Sequence, residues 1–176
     1  MAGVELTSAL ARLLSDRTLR LRFNADRGEV ARELELTTRD AAILCAVDAA
    51  GLEAQAQTLL DKRRSEATRI MPRTWKLLAP AGTGLFEEYA SDHWPTGHLR
   101  HPMDALAFMR FLVERGLPHD RIERLRMETR LSDRRRRISV VPSGSRWKLP
   151  ALYVAWLTPR GWSERLVHVG PRARAL

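Results

Sequence analysis

Near residue 133 the spacing of apolar residues changes period, and that change limits what this chain can fold into. Before it, apolar residues recur at the three- and four-residue spacing of helices. After it, Arg137-Ile138-Ser139-Val140-Val141 alternates with period two, and 149–158 (LPALYVAWLT) is a β-rich apolar run. Pro142-Ser143-Gly144-Ser145 and Pro159-Arg160-Gly161 are turn chemistry, and 165–169 reads as a third strand. The expected fold class is therefore α+β, an N-terminal multi-helix body followed by a small C-terminal antiparallel β-meander. The predicted organisation is a helical domain over 1–131, antiparallel strands forming a recognition region over 134–170, and a tail at 171–176. Three strands are not stable alone, so one sheet face must pack on the helices. Tyr153 and Trp156 alternate onto opposite faces of the middle strand. The second face then carries aromatic area too, and such a face often meets a partner.

Within the helical part, 85–112 (LFEEYASDHWPTGHLRHPMDALAFMRFL) reads as two amphipathic helices meeting at a tight corner. Leu85, Phe86, Tyr89 and Ala90 share one face of the first. Met103, Leu106, Ala107, Phe108, Phe111 and Leu112 line the second. Pro95 disfavours helical geometry at Trp94, Gly97 can supply a positive φ, and Pro102 suits the start of the second helix. Four short helices come earlier, over 6–14, 17–24, a segment through Val30, Ala31 and Leu34, and 40–47. Asp16, Asp26 and Thr37 are their expected caps. Asp48 caps the longest helix, 49–71, whose apolar line is Leu52, Ala56, Leu59, Leu60, Ala67 and Ile70. Lys62-Arg63-Arg64 are expected on its solvated face. Trp75, Leu77 and Leu78 read as part of a connecting turn. Ala81-Gly82-Thr83-Gly84 reads as a linker, too short and lacking the lysine of a phosphate loop. Pro118 opens a last helix over 119–130, with Ile122, Leu125 and Met127 inward.

No apolar run approaches the ~18–20 residues of a membrane span, and no secretion signal is visible at the start. The single Cys45 excludes an internal disulfide, suits a reducing cytoplasm, and reads as a buried inert thiol. Net charge is +9 and unevenly placed: residues 1–120 hold 16 Lys/Arg against 17 Asp/Glu, whereas 121–176 hold 14 against 4. This asymmetry argues for a partner-facing C-terminal region with an anionic preference.

Chemistry is hard to find. His93, His98 and His101, with Asp92 and Asp104 nearby, invite a metal reading, but Pro95 and Gly97 break the segment and the spacing does not share one helix face. Corner and capping hydrogen bonds account for them better, and no metal is expected. There is no G-x-S-x-G and no H-E-x-x-H, and Glu87-Glu88 point apart on a helix. The basic cluster of Arg130, Arg134–Arg137, Arg146, Lys148, Arg160 and Arg165 admits three readings. It suits nucleic acid, with Trp147, Tyr153, Trp156 and Trp162 as stacking candidates. It suits an acidic peptide added as a strand on the sheet edge. It also suits a merely solvated surface. Strand edges beside arginines favour the peptide slightly.

Four stretches carry a more specific likeness: Leu13-Leu14-Ser15-Asp16 with Leu19-Arg20 and Phe23; Leu52 and Gln55-Ala56 with Leu59-Leu60-Asp61-Lys62-Arg63 and Glu66; Leu85-Phe86-Glu87-Glu88-Tyr89-Ala90 with Pro95; and Asp104-Ala105-Leu106-Ala107-Phe108 with Phe111-Leu112. With the basic strand tail, they resemble the small partner subunits of multinuclear non-haem iron oxidative enzymes that modify ribosomally made (RiPP) peptides. The methanobactin and 3-thiaglutamate pathway partners are examples. The likeness spans roughly 8–170 and rests on helical spacing rather than a catalytic signature. The first third also resembles the small helical subunit of extradiol dioxygenases.

The resemblance implies an accessory, non-catalytic subunit without a cofactor of its own. It would form a heterodimer with a TIM-barrel multinuclear iron enzyme, which would hold the iron and oxidise a cysteine of the precursor peptide. The C-terminal strands would hold the peptide's leader, with contacts expected from Arg136, Arg137, Ile138, Val140, Tyr153 and Trp156. The helices near 85–112 would dock the enzyme, through Tyr89, His93, Trp94, His98 and His101. A small basic nucleic-acid-binding protein is the alternative, and an independent metal enzyme at the histidine corner a third.

Overall fold

Side-chain caps punctuate the first seventy residues of the chain in the computed structural model, which describes residues 5–97, 99–132, 135–142 and 150–168, with only the backbone at Pro142. Helices α1 (Leu6–Ser15), α2 (Arg17–Ala25), α3 (Arg27–Glu33) and α4 (Thr38–Cys45) precede the long α5 (Ala49–Ile70). Asp16 accepts the Leu19 N–H at 2.9 Å and Asp26 accepts that of Glu29 at 2.8 Å. Thr37 accepts from the Asp40 N–H at 3.1 Å, and its hydroxyl donates to the Asp40 carboxylate at 2.9 Å. Asp48 takes the Gly51 N–H at 2.7 Å and opens α5. Each such cap satisfies a donor that a helix start leaves unbonded. Then follow α6 (Pro72–Leu78), α7 (Gly82–Ser91), α8 (Arg100–Glu114) and α9 (Arg121–Arg130). The strands are β1 (Arg136–Pro142), β2 (Pro150–Thr158) and β3 (Gly161–His168). The architecture is α+β, as the change of period implies.

The chain groups into two compact units, 1–67 with 80–98 and 68–79 with 99–176. In the first, Ala9, Leu13, Leu19, Phe23, Val30, Leu34, Leu44 and Leu52 form one buried cluster. The turn out of α3 is closed by Leu36 N–H to Ala31 O at 3.4 Å and Glu35 N–H to Arg32 O at 3.0 Å, with Glu35 at φ 53°. Glycine is the usual residue there, because a Cβ is strained at positive φ. The same closure after α8 does use glycine, Gly116 at φ 65°.

In the second unit a buried carboxylate does the work of a cap from far along the chain. Glu123, on α9, accepts the N–H groups of Arg73 and Thr74, both at 2.8 Å. These are first-turn donors of α6 that have no partner within the helix, and its first residue, Pro72, has no N–H to satisfy. Thr74 returns the contact by accepting the Asp120 N–H at 3.0 Å, and Asp120 caps α9 through Glu123 at 2.8 Å. The sheet has strand order β1-β2-β3, both pairs antiparallel. Its inner face joins Leu125 through Val141, Ala151, Tyr153 and Ala155, with Ile122 and Trp162 packed alongside.

Five local expectations differ from the structure. Residues 72–78 form a helix, because the cap that holds it comes from Glu123 and not from a neighbour. The expected linker at 81–84 is the start of α7, where Leu85 N–H reaches Ala81 O at 3.1 Å. Arg63 is only 6% exposed, on the same stripe of α5 as the buried Leu52, Ala56 and Ala67, whereas Lys62 is exposed. The third strand begins at Gly161, whose φ of 113° closes the turn after Thr158. Cys45 is half-buried rather than fully so. The turn at 143–145, Arg134, Arg146, Trp147, Lys148 and the tail at 171–176 lie outside the described residues. Among the described residues, no helix is long and apolar enough to cross a membrane.

Candidate functional site

Strand alternation sorts the sheet residues into two sets, and the antiparallel register aligns each set in rows across the three strands. On the outer face the rows are Arg136–Trp156–Ser163, Ile138–Val154–Arg165 and Val140–Leu152–Val167. Ile138 and Val140 are 70% and 69% exposed, and Val167 is 48% exposed. Leu152, Val154 and Trp156 beside them are half-buried. A contiguous apolar patch of this kind, rimmed by arginines, is unusual on a surface that meets only water. Arg136 and Arg165 are both exposed, and among the described residues neither has an ion-pair partner.

On the inner face Tyr153, Glu164 and Arg137 have partners within the protein. Tyr153 is 2% exposed, and its hydroxyl donates to Glu164 at 2.9 Å. Glu164 also pairs with Arg126 of α9. Burial, reinforced by the bond to Glu164, pushes the Tyr153 phenol up to about 12 from its ordinary 10. Arg137 pairs with Glu128, which Arg124 also approaches.

Of the six residues expected to touch a peptide, the fold brings Arg136, Ile138, Val140 and Trp156 together on the outer face. Arg137 and Tyr153 point the other way and support the sheet from within. The outer face adds Leu152, Val154, Arg165 and Val167. Their signal was present in the alternation of the 149–158 run and the position of Arg165 in the basic cluster. The three-strand sheet leaves β1 and β3 each with an edge that no described strand pairs with.

The residues expected to dock an enzyme divide differently. Tyr89 is buried in the first unit, its ring 5.6 Å from Phe86 and 5.1 Å from His93. His93 is exposed, and its carbonyl accepts Arg63 Nη2 at 2.9 Å. Trp94 is 40% exposed, with the Arg63 guanidinium 5.0 Å from its ring centroid and 5.8 Å from that of Phe86. Sandwiching a buried guanidinium between aromatic faces offsets part of its lost hydration. Together with Leu14, Arg17, Arg20 and Glu53, Arg63 and Trp94 line a cleft of about 200 Å³. His101 sits in the first turn of α8, in the second unit, where Arg100 Nε donates to its Nε2 at 3.4 Å. His98 lies outside the described residues. Among the described residues, no three His, Cys, Asp or Glu side chains are grouped closely enough to hold a metal ion.

Residues 45–114 match the family described as SCO6045-like, C-terminal domain, a stretch that runs from the end of α4 through α8. The sheet lies beyond the matched stretch. No curated protein and no solved structure matches the chain.

Proposed function

We propose that this chain is a non-catalytic accessory subunit that holds the leader of a ribosomally made precursor peptide on its sheet. It presents that peptide to a TIM-barrel multinuclear non-haem iron enzyme, which carries the iron and oxidises a cysteine of the substrate. The observation that carries the reading is the outer sheet face, where Ile138 and Val140 stay exposed beside Arg136 and Arg165. An extended acidic peptide with apolar side chains matches that face in both charge and hydrophobicity, and the edge of β1 that no described strand pairs with offers it backbone hydrogen bonds. The resemblance supplies the identity of the peptide and of the enzyme. In this reading the Trp94 cleft of the first unit is the surface offered to the enzyme.

Purification of the tagged full chain from its native extract tests the assignment. A co-purifying barrel protein that contains iron, with affinity for its precursor peptide raised by this chain, is the expected result. Recovery of nucleic acid instead, with binding that collapses steeply as salt rises, would overturn it and favour the basic nucleic-acid-binding alternative.

A further inference from the structure

On the helix side of the sheet, beside β1, lies a cavity of about 310 Å³. Met103, Leu106, Arg110, Glu128, Leu131 and Arg137 line it, with Ser132, and no residue of β2 or β3 does. It therefore adjoins the edge of β1 that no described strand pairs with. Met103, Leu106 and Arg110 recur along one stripe of α8 at the spacing that brings helix side chains into line. Leu106 is buried and forms the floor, while Met103, 45% exposed, and the half-buried Leu131 form apolar walls. The charges around it are unequal. Arg137 is matched by Glu128. Arg110 is exposed, and among the described residues it has no carboxylate partner.

A strand added to this edge alternates its side chains between the two faces of the sheet. Those on the outer face run alongside Ile138 and Val140. Those on the inner face point toward α8 and α9, where the cavity is. Resting on the peptide-binding reading above, we infer that this cavity is the specificity pocket for the bound peptide. It takes one large aliphatic or aromatic side chain against Leu106, Met103 and Leu131, with an acidic residue two positions along the strand, on the same face, pairing with Arg110. The apolar contact supplies affinity. The exposed ion pair adds little energy in water and serves mainly to reject peptides with a basic residue at that position.

Random peptides displayed on phage and selected against the full chain test this. Wild type is expected to enrich sequences with a large apolar residue two positions from an acidic one. Arg110→Glu should lose the acidic preference and gain a basic one, and Met103→Lys should lose the apolar preference. Both side chains are exposed, so thermal melting of each variant should match wild type. Identical enriched sequences on wild type and Arg110→Glu would overturn the inference. Selection on Ile138→Asp/Val140→Asp separates the two claims. If that variant alone loses enrichment, the pocket is wrong and the peptide reading stands, whereas failure of wild type to enrich any sequence defeats both.

Discussion

The two faces of the sheet are made by the same three strands, yet they treat their side chains in opposite ways. On the inner face Ala151 and Ala155 flank a buried Tyr153, Tyr153 and Arg126 both engage Glu164, and Arg137 pairs with Glu128. Buried polar groups are tolerable only when paired in this way. On the outer face branched apolar side chains meet solvent, and Arg136 and Arg165 have no carboxylate beside them among the described residues. The stability of the sheet accounts for the first arrangement and not for the second. An apolar and basic face that the fold itself does not require is the place to look for a partner.

The inner face is most sensitive at Tyr153. Tyr153→Ala should cost about 3–5 kcal/mol, the range for truncating a buried aromatic ring, read as a lower midpoint in chemical denaturation. Loss of less than about 1 kcal/mol would mean that the inner face is not the stabilising one. Removing the hydroxyl alone is gentler. Tyr153→Phe should cost about 1 kcal/mol at neutral pH, since Glu164 keeps Arg126.

The same hydroxyl gives the inner face a pH signature. Its folded value of about 12 lies above the ordinary 10. Below pH 10 the phenol is protonated in both states, so its contribution is complete. Between pH 10 and about 12 the unfolded chain loses a proton that the folded chain keeps, so stability falls as pH rises. Denaturation midpoints across that window should decline in wild type and decline less in Tyr153→Phe. Parallel profiles would show that the phenol is not held as described.

On the outer face the expected stability effects are smallest. Ile138→Thr and Val140→Thr should each change stability by no more than about 0.5 kcal/mol, measured by thermal melting. A large loss from either would mean that the outer face is needed for the fold and has no surplus apolar surface.

Much of this was legible where the cause was local. Asp16, Asp26, Thr37 and Asp48 announce their helices because a cap acts within three residues. The alternation of 137–141 and of the run after it announces two faces, and so separates Tyr153 from Trp156. Which face the helices cover is not written in the strands, so on sequence alone Arg137 and Tyr153 group with residues of the opposite surface. Two features needed the tertiary fold. Glu123 caps α6 across about fifty residues of chain, a relation that no window on the sequence reports. Arg63 lies on the buried stripe of α5, but its charge argues for solvent until Phe86, Trp94 and the His93 carbonyl are seen around it.

The central claim is that the outer face binds an acidic, apolar peptide. It is tested most directly by the affinity of a fluorescein-labelled peptide alternating valine and aspartate, measured by anisotropy for wild type and Ile138→Asp/Val140→Asp. Binding to wild type, at least about a tenfold loss in the double variant, and no competition from single-stranded DNA at physiological salt are expected. Equal affinity of the two proteins for the peptide, with the variant still folded, would contradict it.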